Sequence, residues 1–253
     1  MKETQLNRKV NNFSGKARAL FRPAGYCAFG ISAGMGIYGI LVATVVSPAL
    51  TGSVDERLAF MAAHGGLVAS MYILFILMAL AEVLVVLGLI ALTIKRHFRC
   101  AIYGGTFELL NVAVRVVGYM TLITALSGMG SGFISVGGFT FWDDFGYMIE
   151  GGGFFLQTLA WGLFGWALKE RRGLERAAGV LMLLYAVATF AGGMLRILDF
   201  VAIDFPIGLH NLGFILVAPT MGVLSVVILA MLGLVFLGKA KSENTAINEA
   251  DCI

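Results

Sequence analysis

Six long apolar stretches, separated by short polar junctions, dominate the pattern of the chain. A helix of about 20 apolar residues crosses the roughly 30 Å hydrocarbon core of a bilayer, so each stretch is a candidate membrane span. The pattern predicts spans at approximately Ala24–Ala49, Gly66–Ile94, Cys100–Leu126, Gly152–Leu168, Ala177–Leu198 and Leu212–Leu237. We therefore predict an all-α, polytopic integral membrane protein, with residues 23–238 folded as a six-helix transmembrane bundle.

Polar segments flank the predicted bundle at both ends. Residues 1–22 form a basic leader in which apolar residues recur at helical spacing. This pattern is typical of a short amphipathic helix on the membrane surface, and a disordered basic arm is the alternative. Residues 239–253 form a polar tail, which we expect to be cytoplasmic.

Lysine and arginine concentrate on one side of the predicted spans. They occupy the leader, the junctions Lys95–Arg99 and Lys169–Arg176, and the tail, whereas the opposite junctions contain several acids and a single base, Arg57. Positive charge stays on the cytoplasmic side, so both termini should lie inside, in the cytoplasmic (inner) membrane of a bacterium or archaeon. Because topology and lipid headgroups account for these bases, the net charge of +3 does not indicate a nucleic-acid partner.

The composition supports a lipid-facing surface and limits the chemistry. The chain is 59% hydrophobic and 13% charged, whereas soluble domains contain about 25% charged residues. A bilayer must therefore cover much of its surface. The three cysteines are far apart in the sequence and only three histidines are present, so we predict no metal site and no cofactor. Phosphate-loop, zinc-protease and esterase motifs are also absent.

The segment FELLNVAVRVV, residues 107–117, places Glu108, Asn111 and Arg115 inside the third predicted span. Residues three and four apart share one face of a helix, so these three form a polar stripe. Glu82 in the second span lies at the depth of this stripe, because a tight basic turn joins the two spans. We therefore expect Glu82 to contact Arg115 or Asn111.

Two further spans carry candidates for the same polar core. Gln157 lies at similar depth in the fourth span, and Arg196 lies near the outer end of the fifth. Glu82 and Glu108 would then balance Arg115 and Arg196. Buried pairs can lock helix register, but ionisable residues inside membranes also mark solute and ion routes. Both interpretations stay open at this point.

The outer junction, residues 127–153, is rich in glycine and aromatic residues and contains no lysine or arginine. One interpretation is an interfacial belt or half-helix on the outer leaflet. The other is a lid over the polar core, with Asp143 and Asp144 attracting a cation. Asp199 and His210 belong to the same candidate outer site.

Three classes of function fit this pattern. The first is a membrane protein that handles a small solute or ion through a midplane site formed by Glu82, Glu108, Asn111, Arg115, Gln157 and Arg196. The second is a non-catalytic membrane subunit that binds a partner protein or lipid through the outer aromatic segment, or assembles as a homo-oligomer. The third is an intramembrane enzyme on a lipid-like substrate, with Glu82 or Glu108 as general acid or base.

Two segments, ALAEVLVVLGLIALTIKRHFRCAIYGGTFELLNVAVRVVGYMTLI and FFLQTLAWGLFGWALKERRGLERAAGVLMLL, resemble the DUF4386 family of small bacterial six-span membrane proteins. The resemblance covers spans two to five and depends on Glu82, Glu108 and Gln157. Members often have an arginine three residues before the glutamate of the third span, where this chain has Gly105. The family has no assigned activity, so the resemblance implies a six-span membrane fold alone.

Overall fold

The computed structural model describes residues 18–41, 59–60, 63–131, 136–201 and 207–250. A short 3-10 turn, Arg18–Leu20, precedes the first of six α-helices in these ranges. The helices are α1 (Phe21–Leu41), α2 (Gly65–Thr93), α3 (Phe98–Gly130), α4 (Val136–Lys169), α5 (Gly173–Val201) and α6 (Ile207–Ala250). The all-α prediction is confirmed for the described residues.

Among the described residues, four helices have the length and composition needed to cross a membrane. They are α2, residues Phe98–Gly128 of α3, Gly173–Met194 of α5 and Met221–Ser242 of α6. In lipid, a helix satisfies every backbone polar group internally, which explains why such apolar sequences form long uninterrupted helices. The presence of six spans, rather than these four, stays a prediction.

The helices form a ring in sequence order. Each helix packs against its neighbours in the sequence, and α6 closes the ring against α1. Turns of a few residues join α2 to α3 and α4 to α5, which makes each pair an antiparallel hairpin. The second turn ends at Gly173, whose φ of 58° is left-handed, a conformation that glycine adopts without steric cost.

Large apolar side chains fill the ring over one half of its length. A group that we call the apolar plug is fully or almost fully buried and comprises Leu89, Phe164, Leu168, Leu232 and Phe236. Gly88 of α2 allows α1 to pack closely beside the plug, since a Cβ at this position would lie 2.9 Å from the Cβ of Ala24. The side chains of the plug therefore pack between the helices and leave little space in the interior of the bundle.

The plug lies near what we call the basic end, where the α2–α3 and α4–α5 turns meet. Arg171 of the α4–α5 turn donates to the Leu92 carbonyl of α2, at 2.9 Å. Lys239 of α6 forms an ion pair of 2.9 Å with Glu175 of α5. The basic junctions and the beginning of the polar tail thus share one end of the bundle, which is the arrangement that the charge pattern requires.

Two helices extend far beyond the spans that the sequence pattern indicates. The fourth predicted span begins at Gly152, but α4 begins at Val136, so most of the glycine-rich outer junction is continuous with that helix and is not a separate half-helix. Helix α6 runs through the predicted tail to Ala250. A glycine in a helix interior lowers helix stability by about 1 kcal/mol relative to alanine. In an apolar environment, the need to hydrogen-bond every backbone group within the helix can outweigh this cost.

Candidate functional site

Four buried polar residues lie at one level of the bundle. Glu82 is eleven residues before the end of α2, and Glu108 is ten residues after the start of α3. Gln157 is twelve residues before the end of α4, and Tyr185 is twelve residues after the start of α5. At about 1.5 Å per residue they lie roughly 15–18 Å from the basic end, which is half the thickness of a bilayer core.

A charged network connects α2 with α3 at this level. The Arg115 guanidinium hydrogen-bonds the Glu82 carboxylate, and its Nη2 lies 3.7 Å from Oε1 of Glu108. The Asn111 amide donates to the same Glu108 oxygen, at 3.0 Å. The contact that the sequence predicts between Glu82 and Arg115 is therefore present. We call Glu82, Glu108, Asn111, Arg115, Gln157 and Tyr185 the polar layer.

The residues of the network differ in how much of their surface is exposed. Glu108 is 1% exposed, Asn111 0% and Glu82 6%, whereas the Arg115 side chain is 21% exposed. Removing charges from water is expensive unless they are paired and hydrogen-bonded. Arg115 is thus the member of the network that reaches the protein surface.

Pairing inside the network is incomplete. Glu108 Oε2, Asn111 Oδ1 and Arg115 Nε are buried and have no hydrogen-bond partner among the described residues, whose side chains contain one other such atom, in Arg171. An unsatisfied buried polar atom costs about 1–3 kcal/mol, and native proteins usually provide such an atom with a water, an ion or a role in function. Three of the four such atoms in the described side chains belong to this one network.

The layer continues onto α4 and α5. Gly153 packs directly on the network, since a Cβ at this position would lie 2.9 Å from Asn111 Oδ1. The Tyr185 hydroxyl donates to Gln157 Oε1 at 3.5 Å, the long end of the hydrogen-bonding range. The hydroxyls of Thr158, the next residue along α4, and Thr189, one turn from Tyr185 along α5, are 2.9 Å apart. Polar contacts therefore join the fourth and fifth helices at mid-depth, and Gly153 packs the fourth helix against the network.

The sequence interpretation missed several of these buried groups. Tyr185, Thr189, Ser32 and Ser225 are buried, but isolated hydroxyl residues are too common in apolar helices to stand out. Ser32 Oγ donates to the carbonyl of Val226, at 2.9 Å, and so joins α1 to α6. Because a backbone carbonyl already satisfies Ser32, its role is packing.

Arg196 is not at the level of the polar layer. It lies eleven residues beyond Tyr185 along α5, which is about 16 Å along the helix axis. The expected balance of Glu82 and Glu108 by Arg115 and Arg196 stays a prediction, because the Arg196 side chain lies outside the described part of the structure. Among the described side chains, the layer contains two acids, Glu82 and Glu108, and one base, Arg115.

The candidate outer site is described only by its backbone. Asp143 and Asp144 lie on α4, Asp199 on α5 and His210 on α6. Their side chains, like that of Arg196, are outside the described part of the structure. A cation site formed by these residues stays a prediction.

An all-helical bundle with four apolar helices of spanning length is compatible with an integral membrane protein. No family model, curated protein or solved structure matches the chain. The resemblance to the DUF4386 family therefore stays a prediction.

Proposed function

We propose that the protein is a multi-pass membrane protein that handles a small solute or ion through the polar layer. The observation that supports this most directly is the incomplete network around Glu108. A buried carboxyl with an unpartnered oxygen, beside an amide with an unpartnered oxygen, provides two acceptors aimed at mid-depth. Ionisable residues at this depth are costly and often mark ion or solute routes.

A purely structural lock would need fewer charges. The Glu82–Arg115 pair alone connects α2 to α3, and one guanidinium balances one carboxylate. Glu108 adds a second buried acid on the same helix as Arg115. A glutamine at this position would accept the Asn111 hydrogen bond without that charge, so register locking does not explain why an acid is present.

The topology that accompanies this proposal follows the charge pattern. With the basic end in the cytoplasm, both termini are inside and all six helices cross the membrane. The polar layer is then at the middle of the bilayer, and the protein belongs to the cytoplasmic membrane of a bacterium or archaeon. The glycine-rich beginning of α4 faces the outside.

Cysteine accessibility tests the proposal without knowledge of the solute. In a background without the native cysteines, Asn111→Cys is placed in the layer and Val112→Cys serves as its control, since Val112 is 5% exposed and apolar. A methanethiosulfonate reagent modifies thiols that water reaches. We expect Asn111→Cys to react in membranes and Val112→Cys to stay unmodified.

Equal protection of both thiols in the folded protein would show that the layer is closed to water, and the proposal would fail. Gln157→Cys provides a second probe of the same layer if Asn111→Cys does not fold. Proteoliposome currents after jumps in pH, sodium or potassium then test for ion movement. We expect Glu108→Gln to abolish a wild-type current that Glu175→Gln, altered at the basic end, retains.

A further inference from the structure

The geometry points to a proton as the ion of the polar layer, held by Glu108 and shared with Glu82. This inference rests on the proposed function, because it names the ion which that site would handle. The charges, distances and unpartnered atoms of the layer support it.

Charge balance gives the first step. Glu82 approaches from α2, Glu108 and Arg115 from α3, and Tyr185 from α5; the described side chain from α4 is the uncharged Gln157. If both acids are ionised, the layer has a net charge of −1 in an interior that does not tolerate unpaired charge. A single monovalent cation makes it neutral.

The two carboxyls are close enough to share that cation. Both carboxyls approach the same guanidinium nitrogen, because Arg115 Nη2 hydrogen-bonds Oε2 of Glu82 and lies 3.7 Å from Oε1 of Glu108. Two carboxylates this close cannot both stay ionised at little cost, and such pairs commonly hold one proton between them. Arg115 hydrogen-bonds Glu82 but lies 3.7 Å from Glu108, so Glu108 is the acid that is less well compensated and takes the proton.

The unpartnered atoms fit a proton as well. Glu108 Oε2 and Asn111 Oδ1 are both acceptors without a donor. Protonation of Glu108 turns one acceptor into a donor, which can serve a neighbouring acceptor such as Asn111 Oδ1, whereas Arg115 Nε still needs an acceptor. The change adds no heavy atom to the packed interior.

A metal cation fits the layer less well. Hard cations take about six or more oxygen ligands, whereas the layer offers two unpartnered oxygens, one on Glu108 and one on Asn111. The Arg115 guanidinium beside Glu108 would also repel a metal ion. A proton needs one acceptor and tolerates this neighbour.

Infrared spectroscopy of the purified protein tests the assignment. A protonated carboxyl has a C=O stretch above the amide band, and the band shifts to lower frequency in D2O. We expect this band in the wild type at neutral pH and its loss in Glu108→Gln. The band should persist in Glu175→Gln, because Glu175 at the basic end is ion-paired with Lys239. Asn111→Leu should keep the band but shift it, because Asn111 hydrogen-bonds Glu108.

Two results would overturn the assignment. One is a wild type without the band, which would show that both acids are ionised. The other is loss of the band when sodium chloride replaces choline chloride, which would identify sodium as the ion. If the band is present as expected while the proteoliposomes show no current, the proton site stands and the transport proposal fails. The Asn111→Leu shift tests the assignment even if Glu108→Gln does not fold.

Discussion

Replacing Arg115 by methionine should destabilise the protein more than any other single change in the polar layer. The substitution replaces the apolar stem of the side chain and removes the guanidinium, which is the one base among the described side chains of the layer. Glu82 then loses its ion pair, and Glu108 loses the nearest compensating charge, at 3.7 Å. Removing one partner of a buried ion pair costs about 3–5 kcal/mol.

The two acids should behave differently from the base and from each other. Glu108→Gln leaves the Glu82–Arg115 pair intact and preserves an acceptor for Asn111, so we expect a change in unfolding free energy within about 1 kcal/mol. Glu82→Gln removes the closest partner of Arg115, but Glu108 can take its place. We expect a cost of about 1–3 kcal/mol for that change.

Reversible unfolding in mixed micelles of dodecyl maltoside and SDS provides the measurement. Tryptophan fluorescence is a suitable signal, because Trp161 is buried and its ring centroid is 5.0 Å from that of Tyr185 in the layer. The expected order of destabilisation is Arg115→Met, then Glu82→Gln, then Glu108→Gln. If Glu108→Gln costs as much as Arg115→Met, the charge count on which the proton assignment depends is wrong.

Two further changes test contacts seen in the structure, each against its sequence neighbour. Gly153→Ala should lower the free energy of unfolding by about 1–3 kcal/mol through overpacking, because the new Cβ would lie 2.9 Å from Asn111 Oδ1. A Cβ at Gly152 would have nothing within 4 Å, so Gly152→Ala should not lower the melting temperature. Equal effects of the two changes would contradict the close α3–α4 contact. Arg171→Ala should lower the free energy of unfolding by about 1–3 kcal/mol, because it leaves a carbonyl at the end of α2 without its donor. Arg172 is exposed, so Arg172→Ala should change the melting temperature little. If Arg171→Ala does not change the melting temperature either, this contact does not contribute to stability.

The sequence predicts the helices better than it predicts their ends. Long apolar runs identify the helices because in lipid every backbone group must be paired within the segment. The start of α4 at Val136 could not be predicted, because the glycines before Gly152 argue for a break on propensity alone. Context outweighs that propensity in the folded chain.

In the candidate site, some residues can be predicted from their spacing in the sequence, and others depend on helix packing that the sequence does not reveal. Glu108, Asn111 and Arg115 are conspicuous because charge is rare in a span, and the short α2–α3 turn places Glu82 beside them. Tyr185 gives no such signal, because its position depends on how α5 packs against α4. Arg196 has a charge that would match the layer, but its backbone lies eleven residues beyond Tyr185 along α5, so its place in the layer stays a prediction.

The position of the polar layer relative to the apolar plug determines how an ion could reach it. By helix register, Leu89 lies between Glu82 and the basic end of α2, and Phe164 lies between Gln157 and the basic end of α4. Both side chains are almost fully buried, so the plug occupies the interior between the polar layer and the basic end. Arg115 lies on the other side of Glu108, seven residues further from the basic end, and its side chain is partly exposed. If the polar layer handles an ion as proposed, release of that ion toward the basic end requires the plug to separate.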